Sequence, residues 1–310
     1  ATPGFENAYA TAAKTGHFPS HVHKTSCDGD WWQLGTYLPG GPKQIDHFQA
    51  TQGWEDVFEQ RRIDMGSFYA SKDAEYPTKD GSVRRINWGW VTVANGVQSL
   101  PREITFNPEA RTLEQAPIEE LKALRGPAAF SRTNVRVSGV ALDLGLAPGV
   151  ARQSEVLVTF ELPTEAAKFG VYIGKSNSSC ASAEAPGCAD GSDPTLSCSV
   201  DYRPPENSHQ TQDVQVQCSG RKDTLRLLPG ETTTEIRVFS DWTFSEVYFH
   251  KGRVAMTVPS TLKQDTGVSL TSSASVTAES VAVYPMMSIW VTAEQVRKAP
   301  RIFGQPLVVV

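Results

Sequence analysis

Few residues of this 310-residue sequence have the types and spacing for chemistry. His21 and His23 would fall on one face of a strand and could hold a metal ion, but no third ligand stands near them, so ordinary strand residues are the default and no metal is expected. Glu75, Asp80, Arg84 and Arg85 surround the run YPTKDGSVRR and read as a charged hairpin with a solvated turn. Asp64 precedes Gly66 by two positions, an arrangement common in turns. Of five cysteines, Cys27 stands alone while Cys180, Cys188, Cys198 and Cys218 crowd into one region rich in Ser, Gly, Pro and Asp. Without CxxC pairs this is no zinc site, and it reads as a long loop tied by disulfides through at least two of the four. The odd count leaves Cys27 over. An oxidising compartment follows, secreted or lumenal/vacuolar, and the glycosylation acceptor pattern Asn177-Ser178-Ser179 agrees with it.

Composition narrows the partners. A formal net charge of -5 provides no basic field for a phosphate backbone, so nucleic acid is not expected. No apolar run approaches the roughly 18 to 20 residues of a membrane helix, so no membrane partner is expected either. Neutral, sugar-like ligands stay open, and no cofactor is indicated. The opening ATPGFENAYA has neither Met nor a charged-then-apolar leader, which reads as a processed product or a piece of a longer precursor.

The elements that would position these residues are strands. EVLVTFELP, DVQVQCSG, TEIRVFSD, EVYFH, RVAMTVPS and VAVYPM alternate apolar and polar residues and are separated by turn pairs such as Pro229-Gly230 and Lys251-Gly252. Such strands predict antiparallel sheet with one wet face. PIEELKALRG, from Pro117 to Gly126, carries Pro at its start, acids in its first turn and Gly after its end, and predicts a helix. The fold class is all-β, divided into 1–115, rich in Trp, Tyr and Gly, a connecting helix over 116–130, and 131–310 with longer, cleaner strands. The first part fits propeller blades and the second a β-sandwich. Core packing is the default for each aromatic.

Read in order, HVHKTSCDGDWWQLGTY, RRIDMGSFYASK, RRINWGWV, VQSLPREI, APIEELKALRG and EIRVFSDWTFSEVYFHKGRVAMT resemble the later part of glycoside hydrolase family 32, the invertase-type β-fructosidases. The resemblance runs from about residue 20 to about residue 290, with the Cys-rich region as its divergent insert. It implies the last blades of a five-bladed β-propeller followed by a β-sandwich, with INWGW mostly in blade core. It also implies a retaining glycosidase acting on sucrose or fructans, whose two carboxylates sit roughly 5 to 5.5 Å apart. The family's Asn-Asp-Pro-Asn nucleophile, Arg-Asp-Pro and Glu-Cys acid/base motifs are not in this sequence. Asp193-Pro194 falls in the Cys-rich region, and Glu6, the carboxylate near where the Glu-Cys motif would end, reads as a surface residue. No catalytic residue is therefore assigned, and the catalytic carboxylates are expected on amino-terminal sequence.

One position carries over. Asp64, Gly66, Tyr69 and Ala70 match a family Asp-x-Gly-x-x-Tyr-Ala pattern, which makes Asp64 a substrate-binding candidate, accepting sugar hydroxyls. Where many invertases place Lys three residues later, this chain has Ser67, which loses a charge and leaves a longer fructan or a different donor open. The expected partners are a fructoside and the amino-terminal part of the same precursor or a second copy of the chain, because isolated blades would leave apolar faces and strand edges in water. The alternative is a non-catalytic carbohydrate-binding or structural protein derived from the same fold.

Overall fold

Alternation becomes antiparallel sheet throughout the computed structural model, which describes residues 21–50, 61–78, 80–93, 96–175, 196–207, 209–290 and 292–298. Strands β1 (His21–Ser26), β2 (Asp30–Leu38), β3 (His47–Ala50) and β4 (Arg61–Arg62) form the first sheet, in the order β1-β2-β3 with β4 also pairing β2. The second runs β5 (Phe68–Pro77), β6 (Val83–Val91), β8 (Arg102–Asn107), β9 (Thr112–Pro117), with β7 (Val97–Gln98) against β6. Trp32, Leu34, Ile63, Phe68, Ile104, Phe106 and Leu113 join the two sheets in one small core. Within the INWGW run Ile86, Asn87 and Gly89 are buried, whereas Trp88 is half-buried and Trp90 is 50% exposed. Core packing holds for Trp32 but not for Trp90, which shares a face of β6 with buried Ile86 and is open to solvent four residues further along it.

The expected helix over 116–130 is much shorter. Only Glu119–Leu124 coil, as a 3-10 helix between extended Ile118 and Arg125. Its bonds reach three residues back, Leu121 N–H to Ile118 O and Arg125 N–H to Lys122 O. The charges sit where a helix wants them, but a segment this short does not hold the α form alone, and it takes two tight turns with Leu121 buried.

Beyond it lie β10 (Phe130–Ser138), β11 (Leu142–Asp143), β12 (Gln153–Glu161), β13 (Ala167–Lys175), β14 (Leu196–Tyr202), β15 (Gln212–Cys218), β16 (Arg221–Leu227), β17 (Thr233–Asp241), β18 (Phe244–Phe249), β19 (Val254–Pro259), β20 (Thr266–Ser272) and β21 (Ser275–Pro285), then a short helix α1 (Ala293–Lys298). They form two six-stranded sheets, β10-β21-β12-β17-β18-β19 and β11-β20-β13-β14-β15-β16. Inward residues such as Val158, Phe160, Phe169, Ile173, Val238 and Phe249 fill the sandwich between them.

Two expectations change here. Cys198 and Cys218 are disulfide-bonded, but from facing positions of β14 and β15 with both residues in the core rather than in a loop. Cys180, Cys188, Asn177 and Asp193 lie outside the described residues, as does Glu6. The single wet face also fails for part of the sandwich. Every residue of β18 is buried, as are five of the six in β19. One face of these strands meets the sandwich core, and the other is covered by the 3-10 turn and the second sheet through Leu121, Phe239, Tyr248 and Ala255.

Candidate functional site

That second buried face is where the recognisable segments meet. Residues 64–67 run along β19, the outer strand of its sheet: Met65 N–H bonds to Ala255 O at 3.0 Å and Ser67 N–H to Thr257 O at 2.7 Å. The chain so covers an edge that would otherwise offer unpaired backbone groups. The approach is close enough to require glycine at 66, since a Cβ there would fall 1.7 Å from Thr257 O.

Asp64 sits at the centre of this contact, 2% exposed. Its Oδ1 accepts from Gly66 N at 2.7 Å and Thr257 N at 2.8 Å, and its Oδ2 from Thr257 Oγ1 at 2.7 Å. Arg102 Nη1 lies 2.9 Å from the same Oδ2. The other arm of Arg102 donates to Glu246 Oε2 at 2.6 Å and to Thr257 Oγ1 at 2.9 Å, while Glu246 also accepts from Leu100 N at 2.6 Å and Tyr248 Oη at 2.7 Å. Phe68 and Tyr248 place ring faces against the guanidinium, 4.3 and 5.1 Å from its carbon. Burial alone would lower the Arg102 pKa, but Tyr248, Glu246 and Asp64 outweigh it and raise the value above the ordinary one. Burial pushes the Tyr248 phenol well up, against the pull of Arg102.

Chemically this is a dry lock. Asp64 and Glu246 share one guanidinium away from solvent, so in this arrangement neither is placed to exchange a proton with a substrate. Asp64 bonds Gly66 N within its own turn and, through Thr257, ties that turn to β19. Sugar contact would require Asp64 to leave these partners. A second ionic cluster lies alongside: Arg253 reaches Glu114 at 3.1 Å and Glu231 at 2.7 Å, and His250 is 3.0 Å from Glu231. Arg102, Glu246 and Thr257 were missed by sequence reasoning, although VQSLPREI and FSEVYFHKGRVAMT contain them. The usable signal was the polar residue in an inward position of a strand: Arg102 opens β8, whose exposure alternates with Arg102, Ile104 and Phe106 buried.

The remaining candidates lie apart from the lock. His23 faces Gln33 and Phe48, and His21 packs near Tyr37. No three His, Cys, Asp or Glu residues gather in a metal-holding group among the described residues. Arg85 bridges Asp73 and Glu75, Arg84 bridges Glu103 and Glu120, and Asp80 takes bonds from Thr78 and Ser82 within its turn. Cys27 is exposed and free. Beside the lock opens a cleft of about 350 Å³ lined by Trp31, Arg61, Arg62, Met65, Asp223 and Arg253 among others. Arg62 lies over the Trp31 ring at 4.9 Å. Burial lowers the Arg61 pKa despite the attraction of Asp223, and burial raises that of Asp223.

Comparison with known proteins agrees with this architecture. Residues 120–285 match the family described as glycosyl hydrolases family 32 C terminal. A beta-fructofuranosidase, insoluble isoenzyme 1, from Daucus carota is 35% identical over 162 residues, covering 47% of this chain and 26% of the relative. A beta-fructofuranosidase, cell wall isozyme, from Zea mays is 30% identical over 179 residues, covering 53% of this chain and 28% of the relative. The matched stretch thus spans under a third of either curated relative. Among solved structures, fructan 1-exohydrolase IIa from Cichorium intybus in complex with 1-kestose superposes with a TM-score of 0.65 at 17% identity, over 86% of this chain and 56% of that one. That likeness is one of fold.

Proposed function

The chain belongs to glycosyl hydrolase family 32, and from that premise we propose that it is the carboxy-terminal portion of a retaining β-fructosidase-like hydrolase acting on sucrose or fructans. Its first two sheets are then the last blades of a five-bladed propeller, and the catalytic carboxylates stand on amino-terminal sequence outside this chain. The observation that carries the reading is the lock around Arg102, which ties β8 and the segment at Asp64 to the sandwich. A retaining site needs two carboxylates held about 5 to 5.5 Å apart, and a blade that rocked against its support would spoil that distance. The partner is the amino-terminal part of the same precursor or, failing that, a second copy. The disulfide and the cell-wall relative support a secreted or vacuolar location.

Fructose release tests the reading. Joined to the sequence encoded upstream of it, the chain is expected to liberate fructose from sucrose or 1-kestose. If the upstream sequence lacks the Asn-Asp-Pro-Asn and Glu-Cys motifs and no fructose appears, the enzyme reading fails. The second reading, a non-catalytic carbohydrate-binding protein, is favoured by the cleft at Trp31, where Arg61, Arg62, Gln115 and Asp223 bring hydrogen-bonding groups to a space of about 350 Å³.

A further inference from the structure

On the sandwich, away from the lock, the β17–β18 hairpin turns through Trp242 and Thr243. Trp242 adopts φ +55, a left-handed conformation that is an outlier for a bulky residue. Glycine or asparagine would make that turn without strain, so the indole is kept against a backbone cost. Its side chain is nonetheless 49% exposed. It is also held in place: Trp242 N donates to Arg152 O at 2.9 Å and Leu262 N to Trp242 O at 3.0 Å. The indole Nε1 donates to Gln153 Oε1 at 3.2 Å, and the Arg152 guanidinium carbon lies 3.6 Å from the ring centroid.

These residues line an open cavity of about 380 Å³, with Pro148, Gln264 and Pro285 on its other sides. Gln264 Oε1 accepts from Arg152 Nη1 at 2.7 Å. Both glutamines therefore spend their amide oxygens on the framework, which orients each amide and leaves its NH2 as a donor. Arg152 Nε is buried and without a hydrogen-bond partner. No carboxylate lines the cavity, and the guanidinium lies against the indole rather than presenting a fork to an anion. The guanidinium covers one face of the indole, and the half-exposed ring offers its remaining face, with amide donors beside it, to a sugar ring with one C–H-rich face and hydroxyls at its rim.

We propose that the Trp242–Arg152–Gln153–Gln264 cavity is an accessory binding site for a neutral oligosaccharide, separate from any catalytic cleft. Trp242 supplies the stacking plate and the two glutamine amides fix the sugar hydroxyls. With one plate and few polar contacts, binding is weak, of about millimolar order. The site would hold a chain of sugar near the protein without taking part in its cleavage.

Fluorine NMR of the full chain carrying 5-fluorotryptophan tests this, with 1-kestose as the furanose probe and cellotetraose as the pyranose probe. The resonance missing from Trp242→Gly is expected to shift saturably with at least one probe while that of Trp290, the other tryptophan beyond residue 130, stays still. A response to one probe alone identifies the ring form. Trp242→Gly is expected to lose that binding with a melting temperature unchanged or raised, since glycine relieves the left-handed turn. Gln264→Ala, an exposed position, is expected to weaken binding with the fold retained. No movement of the Trp242 resonance with either sugar, or undiminished binding in Trp242→Gly, overturns the proposal. Because the readout belongs to Trp242, it stands or falls independently of fructoside hydrolysis.

Discussion

Arg102 and Arg84 each hold two carboxylates, and the two sites differ almost only in water. Arg102, Asp64 and Glu246 have side chains no more than 1% exposed, whereas Arg84, Glu103 and Glu120 are 25%, 26% and 59% exposed. The distances are alike, 2.6 Å for Arg102 to Glu246 and 2.6 Å for Arg84 to Glu120. Geometry alone therefore does not rank them. A dry pair gains little by forming, because desolvation offsets attraction, yet it is costly to break once one partner is gone. A wet pair is cheap in both directions. What the dry site adds is a penalty on misdocking, since an orientation that leaves one of those charges buried and unpaired is costly.

The largest effect should come from Arg102→Met, which strands two buried carboxylates. It is expected to cost at least about 3 to 5 kcal/mol in urea unfolding, or to prevent folding. Asp64→Ala is expected to cost a comparable amount, because Arg102, Thr257 and Gly66 all lose their acceptor. The substrate-binding role would instead lower affinity for 1-kestose and leave the melting temperature in place. Equal costs for Arg102→Met and Arg84→Met would break the comparison.

Next is the Cys198–Cys218 bridge, which ties β14 to β15 across a separation of 20 residues. Cys198→Ser with Cys218→Ser is expected to cost about 3 kcal/mol, through the loop entropy returned to the unfolded chain. Unfolding under non-reducing conditions measures it. The loss should appear without change at the Arg102 lock, because the disulfide lies in the core between the sandwich sheets.

The cluster beside the lock sharpens the comparison through pH. Burial would raise the Glu231 pKa, but hydrogen bonds from Arg253, the Leu228 backbone and His250 outweigh it and bring the carboxyl from 4.5 down to about 2. A depressed carboxyl stabilises fully above 4.5, and that contribution is lost as pH falls from 4.5 toward 2. His250 is held below its ordinary 6.5 by burial, against Glu231. The unfolded chain then takes up its proton first, so stability begins to fall as pH drops through about 6.5. Urea midpoints across pH should show both slopes. Glu231→Gln should flatten the lower one, and unchanged slopes in that variant would mean the cluster is solvated.

Much of the sandwich was legible because alternation marks a strand wherever one face is apolar: EVLVTFELP, DVQVQCSG and TEIRVFSD lie within or closely overlap β12, β15 and β17. The lock was not, for the same reason. In β18, Glu246 and Tyr248 occupy the positions that alternation assigns to water, and only the arrival of another sheet buries them. Asp64 was found by resemblance, but its partner Arg102 is 38 residues away and Thr257 is 193 away, so no local pattern could join them. The helix at Pro117 failed differently: its charges stand where expected, but Pro117 closes β9 and no side chain caps the turn at Ile118, and local signals cannot report that Leu121 would be drawn into a core.

The smallest effect should be at Arg84. Each of its bonds closes on a carboxylate that water also reaches, so Arg84→Met is expected to cost below about 1 kcal/mol. The two acids keep the guanidinium charged, with the hydrogen bond to Glu120 the largest influence and that to Glu103 next, but methionine leaves both free to solvate rather than stranded. Salt gives the sharper test. Raising the ionic strength toward about 1 M shortens screening to about 3 Å and should erase most of the difference between wild type and Arg84→Met. The Arg102→Met deficit should persist in the same salt, because ions cannot enter the dry contact. If both deficits shrink together, water reaches Arg102 as well, and the lock would have to be read as a second surface network.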